Sequence, residues 1–305
     1  MFNFLLKNFK KLAAKTSKPA AVLISIIIIV GIGFCAYKIV QAINNPNTVS
    51  DSFNDSTKIA SSINVTVDTA NGQVVLSPAS TWTCGSVLFD SRDAKGYTTS
   101  LIGSQCWMSQ NLNVGTKITS CVNGYVGVCT TGGSTVQNQG TSTTSPQKYC
   151  YNDTESNCTS GGGLYQWAQA MGGSTTAGVQ GICPAGWHIP THDEYTLLEQ
   201  TTCAANGGTT SCATDFPYNI TTTGLLGTHT EGTTLKSGSG LFKGRLVGYR
   251  STAGSFLNIG SDVFFWSSLQ SGSSAWRRYL VSSEVRVDRY TNAKLYGFSV
   301  RCLKN

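Results

Sequence analysis

The segment "GICPAGWHIPTHDEY", residues 181–195, carries the clearest local signal in the chain. Thr191 and Glu194 stand three residues apart, directly after Pro190. This is the spacing of a capping box, in which the threonine and glutamate side chains each bond the main chain at the start of a helix. The segment therefore predicts a helix that begins at His192.

The two histidines of this segment raise the question of a metal site. His188 lies before a proline, where the chain favours an extended conformation, whereas His192 begins the helix. The pair therefore does not share one helix face as in a zinc-binding H-E-x-x-H motif. Catalytic zinc needs three protein ligands, and His229 is the only other histidine. We predict a structural corner that binds no metal, with Trp187 buried, His188 hydrogen-bonded to the main chain and Cys183 in a disulfide.

The chain also lacks the common catalytic signatures. It contains no G-x-S-x-G motif and no phosphate-binding loop of the Walker type. We therefore predict no catalytic residues and no cofactor.

The cysteines predict a disulfide framework. Eleven are present, one at Cys35 and ten after it, and no C-x-x-C motif occurs. Three pairs each enclose a short polar loop: Cys121 with Cys129, Cys150 with Cys158, and Cys203 with Cys212. Four cysteines remain for longer-range bridges whose connectivity stays open from spacing: Cys84, Cys106, Cys183 and Cys302.

The N-terminal region predicts a membrane anchor. Residues 20–37 form an uncharged apolar run, preceded by five lysines and followed by one at Lys38. The run is long enough to span a bilayer, and the lysine asymmetry places the N-terminus in the cytoplasm. We expect a basic cytoplasmic segment (1–19), an anchor (20–40) and a polar linker (41–62). A cleaved signal peptide is the alternative, since residues 40–42 are small enough for a peptidase.

Two further segments have a clear local pattern. Residues 63–82 predict a β-hairpin or stalk that turns at Asn71-Gly72. In "GLYQWAQAM", residues 163–171, apolar residues recur at helical spacing and predict a second short helix.

The composition is typical of an extracellular, β-rich protein. Charged residues make up 12% of the chain, against about 25% in an average soluble domain. The net charge of +7 comes from the N-terminus, because six of the 22 basic residues and none of the 15 acidic ones precede residue 45. The remaining 16 basic and 15 acidic residues nearly cancel. We therefore predict no nucleic-acid partner.

Several motifs together resemble one family. They are "DSRDAKGYTTSLIGSQCWMSQNLN" (90–113), "YCYNDTESNC" (149–158), "GLYQWAQAM", the 181–195 segment, and "FFWSS", "AWRRYL" and "GFSVRC" (264–302). In this order they resemble the Fibrobacter succinogenes major paralogous domain, from about residue 83 to 305. This family is similar to a branch of the C-type-lectin-like superfamily, which also contains the formylglycine-generating enzymes.

The resemblance implies a fold and two bridges. The expected fold is α+β, with two short helices on small twisted antiparallel sheets and the last strand lying beside the first. The resemblance also implies a bridge between Cys183 and Cys302, which leaves Cys84 to pair with Cys106.

The resemblance places a ligand site in the C-terminal strands. On the strand around residues 276–281, alternate side chains face opposite sides. The family pattern keeps Trp276, an arginine at 278 and Leu280, so that face is expected to be structural. The opposite face supplies the exposed candidate ligand-binding residues, rich in the arginine and tyrosine common at binding hot spots: Arg277, Tyr279, Arg286, Asp288 and Tyr290. Their alternative role is that of ordinary solvated strand residues.

We therefore expect a single-pass bacterial membrane protein whose lectin-like extracellular domain binds a protein or glycan ligand, or mediates adhesion. A structural envelope or pilus-like component without a ligand is the alternative. An enzyme like the formylglycine generators is disfavoured, because its chemistry needs reactive cysteines and a disulfide-bonded thiol is not a nucleophile.

Overall fold

The structure, a computed structural model, describes residues 82–121 and 135–305, together with the backbone of two earlier strands. The chain divides into two compact units, residues 1–83 and 84–305. In the first, strands β1 (Ile63–Asp68) and β2 (Gln73–Pro78) pair antiparallel, so the predicted hairpin is present. The predicted anchor at 20–40 lies outside the described residues. Within the described part of the chain, no helix has the length and apolarity needed to cross a membrane.

The second unit is an α+β domain. Its largest sheet has six strands in the order β10 (Gly224–Leu226), β15 (Val287–Ala293), β14 (Ser274–Val281), β13 (Asp262–Ser271), β11 (Val247–Arg250) and β12 (Phe256–Ile259). A four-stranded sheet has the order β5 (Thr99–Ile102), β6 (Gln105–Met108), β16 (Leu303–Lys304) and β9 (Trp187–His188). Two small pairs join β3 (Leu88–Asp90) to β4 (Lys95–Tyr97) and β7 (Thr116–Lys117) to β8 (Gln147–Lys148).

The helices of this unit are more numerous than predicted. In the described residues they are α1 (Glu155–Gly161), α2 (Trp167–Ala170), α3 (His192–Ala205), α4 (Cys212–Asp215) and α5 (Glu231–Lys236), with a 3-10 helix at Tyr151–Asp153. The expected second helix at 163–171 is reduced to the four residues of α2. Leu164 and Tyr165 instead form extended bridges to Tyr149 and Phe298. Main-chain hydrogen bonds from distant segments therefore override the local helical pattern there.

The sheets depart from the expected all-antiparallel arrangement in two places, and one of them is the parallel pair of β7 and β8. Strands β11 and β13 also run parallel, with Gly248 opposite Val263. The last strand lies beside an early strand of the domain, as expected, because Leu303 of β16 pairs with Trp107 of β6.

The core lies between one face of the six-stranded sheet and helix α3. Phe265 of β13 and Leu280 of β14 pack in one apolar cluster with Tyr195 and Leu198 of α3. All four side chains are at most 1% exposed. This burial fixes which face of the sheet remains available for function.

The 181–195 segment forms the predicted corner. Helix α3 begins at His192, and Thr191 and Glu194 make both bonds of the capping box. The prediction that His188 is hydrogen-bonded to the main chain is wrong. Its Nδ1 lies 2.7 Å from Asn305 Oδ1 and its Nε2 lies 2.8 Å from Glu194 Oε1. The reason is tertiary, since β16 brings the C-terminal residue beside the corner.

The disulfides agree with the predicted pairs. The structure contains Cys84–Cys106, Cys150–Cys158, Cys183–Cys302 and Cys203–Cys212. Cys121 is also disulfide-bonded, and its predicted partner Cys129 lies outside the described residues. The Cys183–Cys302 bridge ties the corner to the strand that passes between β6 and β9.

Candidate functional site

The face of the six-stranded sheet that points away from α3 carries a row of aromatic and charged side chains. Directly opposed residues of neighbouring strands share a face. Tyr279 of β14 stands opposite Phe264 of β13 on one side and Asp288 of β15 on the other. Arg277 stands opposite Tyr290. The register therefore brings four of the five sequence-predicted site residues together.

Tyr249 extends this row toward the sheet edge. Its ring meets Phe264 edge-on, with ring centroids 4.9 Å apart. Phe264 in turn stacks on Tyr279 at 4.2 Å. We call Tyr249, Arg277, Tyr279, Asp288 and Tyr290 the open face.

Arg277 is the centre of the open face. Its Nη1 donates to the Asp288 carboxylate, and its Nε donates to Asn292 Oδ1 at 2.9 Å. The guanidinium carbon lies 5.3 Å from the Tyr279 ring centroid and 5.9 Å from that of Tyr290, within cation–π range. Burial lowers the pKa of Arg277, and the charge of Asp288 opposes that shift.

The expectation that Arg277 is exposed is wrong. The residue is only 8% exposed, because rings surround the guanidinium and Asp288 pairs with it. Tyr279 and Asp288 are half-buried, and Tyr290 is 52% exposed. Arg277 therefore holds the side chains around it in place, while Tyr290 is the most exposed of the four residues.

Tyr279 is held by a second carboxylate. Its hydroxyl donates to Asp262 Oδ1 at 3.1 Å, and Asn258 Nδ2 donates to the other oxygen of Asp262 at 2.6 Å. Burial, together with the negative charge of Asp262, raises the pKa of Tyr279 to about 12. The phenol is therefore neutral at physiological pH and its ring orientation is fixed.

Arg286 lies apart from the other candidates. Its guanidinium pairs with Glu284 in the loop before β15, at 2.8 Å from Nη2 to Oε2. No contact between Arg286 and the four other predicted residues occurs among the interactions of the described chain. The structure thus does not bring it into the open face.

Apolar residues flank the open face at both edges. Leu225 of β10 stands opposite Asp288 and is 41% exposed. Leu257 of β12 stands opposite Tyr249 and is 38% exposed. Together these side chains form an aromatic and apolar surface around the Arg277–Asp288 ion pair.

The face of the six-stranded sheet that points toward α3 is structural, as the family pattern implied. Its side chains contact α3 and also form ion pairs with it. Trp276, at 5% exposed, contacts the His192 ring edge-on at 4.7 Å. Arg278 and Arg289 both donate to the buried carboxylate of Glu199 on α3. This ion triad joins helix and sheet, and it could not be predicted from the sequence because Glu199 lies 79 and 90 residues from the two arginines.

Sequence reasoning also missed Tyr249 and Asp262. Gly248 adopts a φ of +72°, in the left-handed region, which breaks the strand alternation between Val247 in the core and Tyr249 on the open face. A Cβ at this glycine would lie 2.4 Å from the main-chain oxygen of Leu257. The sequence shows Gly248, but it does not show that this glycine turns Tyr249 to the open face.

The α+β fold, the disulfide framework and the corner at residues 181–195 define the class of domain to which the open face belongs. The chain matches the family model of the Fibrobacter succinogenes major domain over residues 101–304. This match covers 204 of the 305 residues, and the chain belongs to this family. Comparison with curated proteins and with solved structures found no match.

Proposed function

We propose that the domain is the ligand-binding part of a bacterial cell-surface protein and that the open face is its binding surface. The observation that carries this proposal is the arrangement of Tyr279 and Tyr290 around the Arg277–Asp288 ion pair. Tyrosine and arginine are enriched at binding hot spots, where rigid aromatic rings supply area at a small entropic cost. The ligand is an extracellular protein or glycan.

The proposed location is the outer surface of a membrane, with the N-terminus in the cytoplasm and the domain outside. The apolar run and the lysine asymmetry of the first 45 residues support it. All nine described cysteines are disulfide-bonded, which supports an oxidising compartment. A C-type-lectin-like fold is part of the same proposal and is supported by the order of motifs and by the last strand returning to the start of the domain.

The proposed role is binding without catalysis. The nine described cysteines offer no thiol to act as a nucleophile, because each is in a disulfide. A cavity between α3 and the sheet, beside Glu199 and Arg278, has a volume of about 10 Å³. Such a cavity admits a single water and excludes an organic substrate.

A matched pair of tyrosine variants tests the proposal. The full-length chain is probed on arrays of glycans and extracellular proteins, and the affinity of any captured ligand is measured for Tyr290→Ala and Tyr218→Ala. The two tyrosines are equally accessible, at 52% and 54% exposed, but only Tyr290 belongs to the open face. Loss of a hot-spot tyrosine is expected to weaken binding at least about tenfold.

Tyr218→Ala is expected to bind like the parent protein. Equal weakening in both variants, or none in Tyr290→Ala, contradicts a site on the open face. Failure of every probe to bind above background favours the structural envelope component instead.

A further inference from the structure

A cluster of metal-ligating side chains lies away from the open face, beside the Cys203–Cys212 disulfide. It consists of Asp215 at the end of α4, and of His229 and Glu231 at the start of α5. His229 Nδ1 is 3.9 Å from Asp215 Oδ2 and 3.8 Å from Glu231 Oε1. All candidate ligand atoms of the cluster lie within 4.8 Å of one another.

The carboxylates of this cluster are buried without a lysine or arginine partner. The Glu231 side chain is 0% exposed and that of Asp215 is 16% exposed. Within the described residues, neither carboxylate has a lysine or arginine nitrogen within 4.0 Å, and His229 is the only ionisable partner of both. Even a protonated His229 would leave this group of two carboxylates with a net negative charge. Buried charges in proteins are normally either paired or bound to a metal ion.

Main-chain groups hold the Glu231 carboxylate in the cluster. Both of its oxygens accept the main-chain N–H of His229 at 3.1 Å. Gly227 leaves room for it, because a Cβ there would lie 2.4 Å from Glu231 Oε2. The φ of Gly227 is +101°, which also disfavours any other residue. The carboxylate position is therefore specified by its surroundings.

A hydroxyl group completes the set of donors. Thr228 Oγ1 donates to Asp215 Oδ2 at 2.8 Å and lies 2.9 Å from His229 Nδ1. The hydroxyl thus accepts the Nδ1 proton of His229, and in the neutral ring this proton moves to Nε2 when a metal ion binds Nδ1. Cys203 Sγ lies 3.7 Å from Nδ1 but is not a thiolate, because it is bonded to Cys212.

We propose that Asp215, His229 and Glu231 form a binding site for a divalent transition-metal ion of the Zn²⁺ class. A point equidistant from the three ligand atoms lies about 2.0–2.5 Å from each, close to Zn–N and Zn–O bond lengths. Three protein ligands leave a fourth position for Thr228 Oγ1 or water. The nitrogen ligand disfavours Ca²⁺, which takes oxygen ligands. The expectation from sequence that no metal is bound was argued from His188 and His192, and it counted His229 only as the one remaining histidine.

The site joins the end of α4 to the start of α5. Asp215 follows the disulfide, whereas His229 and Glu231 lead into α5, whose Leu235 packs in the core. A bound ion stabilises the folded state in proportion to the logarithm of its concentration above Kd. The inference does not depend on the open face, so each proposal can fail without the other.

Isothermal titration of the purified full-length chain with ZnCl₂ tests the site, after treatment with EDTA and without reductant. We expect one Zn²⁺ per chain and a higher Tm in the presence of Zn²⁺. CaCl₂ at the same concentration is expected to have neither of these effects. Asp215→Asn and His229→Gln should each weaken Zn²⁺ binding at least tenfold.

Asp193→Asn is the matched control, because Asp193 is an exposed carboxylate on α3 outside the cluster. It should bind Zn²⁺ like the parent chain. Asp215→Asn retains an oxygen for the Thr228 hydroxyl, and its Tm without metal is expected to match that of the EDTA-treated parent. The proposal is wrong if Zn²⁺ does not bind, if binding survives both cluster variants, if Ca²⁺ binds equally, or if Zn²⁺ binds only after reduction of the disulfides.

Discussion

Replacing Glu199 by glutamine isolates the charge that joins helix α3 to the six-stranded sheet. Arg278 Nε donates to Glu199 Oε1, and Arg289 Nη2 donates to Glu199 Oε2 at 2.5 Å. The three side chains are at most 3% exposed. Glutamine keeps the shape of the side chain and one acceptor oxygen, but it leaves both guanidinium groups without a counter-charge.

The expected cost is large because solvent does not reach the triad. Removing one partner of a buried ion pair typically costs about 3–5 kcal/mol, because it leaves an uncompensated buried charge. Burial already lowers the pKa of Arg278, and the carboxylate of Glu199 opposes that shift. Two arginines lose their partner here, so we expect a loss of at least about 3 kcal/mol, against a total stability of about 5–15 kcal/mol for a typical domain.

Guanidinium unfolding of the full-length chain at pH 7, without reductant, measures this loss. Five of the six tryptophans lie in residues 84–305, so their fluorescence reports mainly on the domain. Glu284→Gln is the matched control. Glu284 also pairs with an arginine, Arg286, but on the surface, so its unfolding midpoint should not change.

A triple variant provides a second arm of the same experiment. Methionine at positions 199, 278 and 289 removes all three charges at similar volume, and apolar replacement of a buried ion cluster is often neutral or stabilising. We expect it to unfold at a higher denaturant concentration than Glu199→Gln. Equal midpoints for Glu199→Gln and Glu284→Gln would refute the reasoning, because the buried triad would then contribute no more than a surface pair.

Two further outcomes follow from the bridges and from a buried histidine. Removing Cys183–Cys302, with a sequence separation of 119, should cost about 5 kcal/mol in denaturant unfolding, whereas removing Cys150–Cys158, with a separation of 8, should cost about 2–3 kcal/mol. Equal losses would contradict the dependence on loop length. Burial and the like charges of two arginines lower the pKa of His192 to about 3, from 6.5 in the unfolded chain. The unfolded state therefore binds more protons between these values, so the stability that is fully present above pH 6.5 is lost as pH falls toward 3, by at most ~1.4 kcal/mol per pH unit. His192→Gln should show a smaller pH slope of unfolding free energy over this range, and an unchanged slope would show that His192 does not contribute.

The sequence determined features that depend on neighbouring residues or on composition. The capping box at Thr191 and Glu194 needs only a three-residue spacing, and it was found as predicted. Short-range cysteine pairs such as Cys150–Cys158 were readable for the same reason, because closing a small loop costs little entropy. The alternation around residue 277 correctly separated the two faces of β14, since side chains in a strand have a period of two.

Only the tertiary structure decided which partners those side chains meet. His188 bonds Glu194 and the C-terminal Asn305 instead of the main chain, because the last strand ends beside the corner. The helix predicted at 163–171 is cut to four residues, because distant strands compete for the main-chain groups of Leu164 and Tyr165.

The open face and the metal-ligating cluster also depend on contacts between residues that are distant in the sequence. The burial of Arg277, its ion pair with Asp288 and the convergence of Asp215 on His229 all join residues that no local pattern relates. Burial and charge pairing depend on long-range packing, which removes water and brings distant side chains within a few ångströms. The sequence therefore specified the local elements and faces of this protein, and the packing of distant segments specified the chemical environment of each side chain on them.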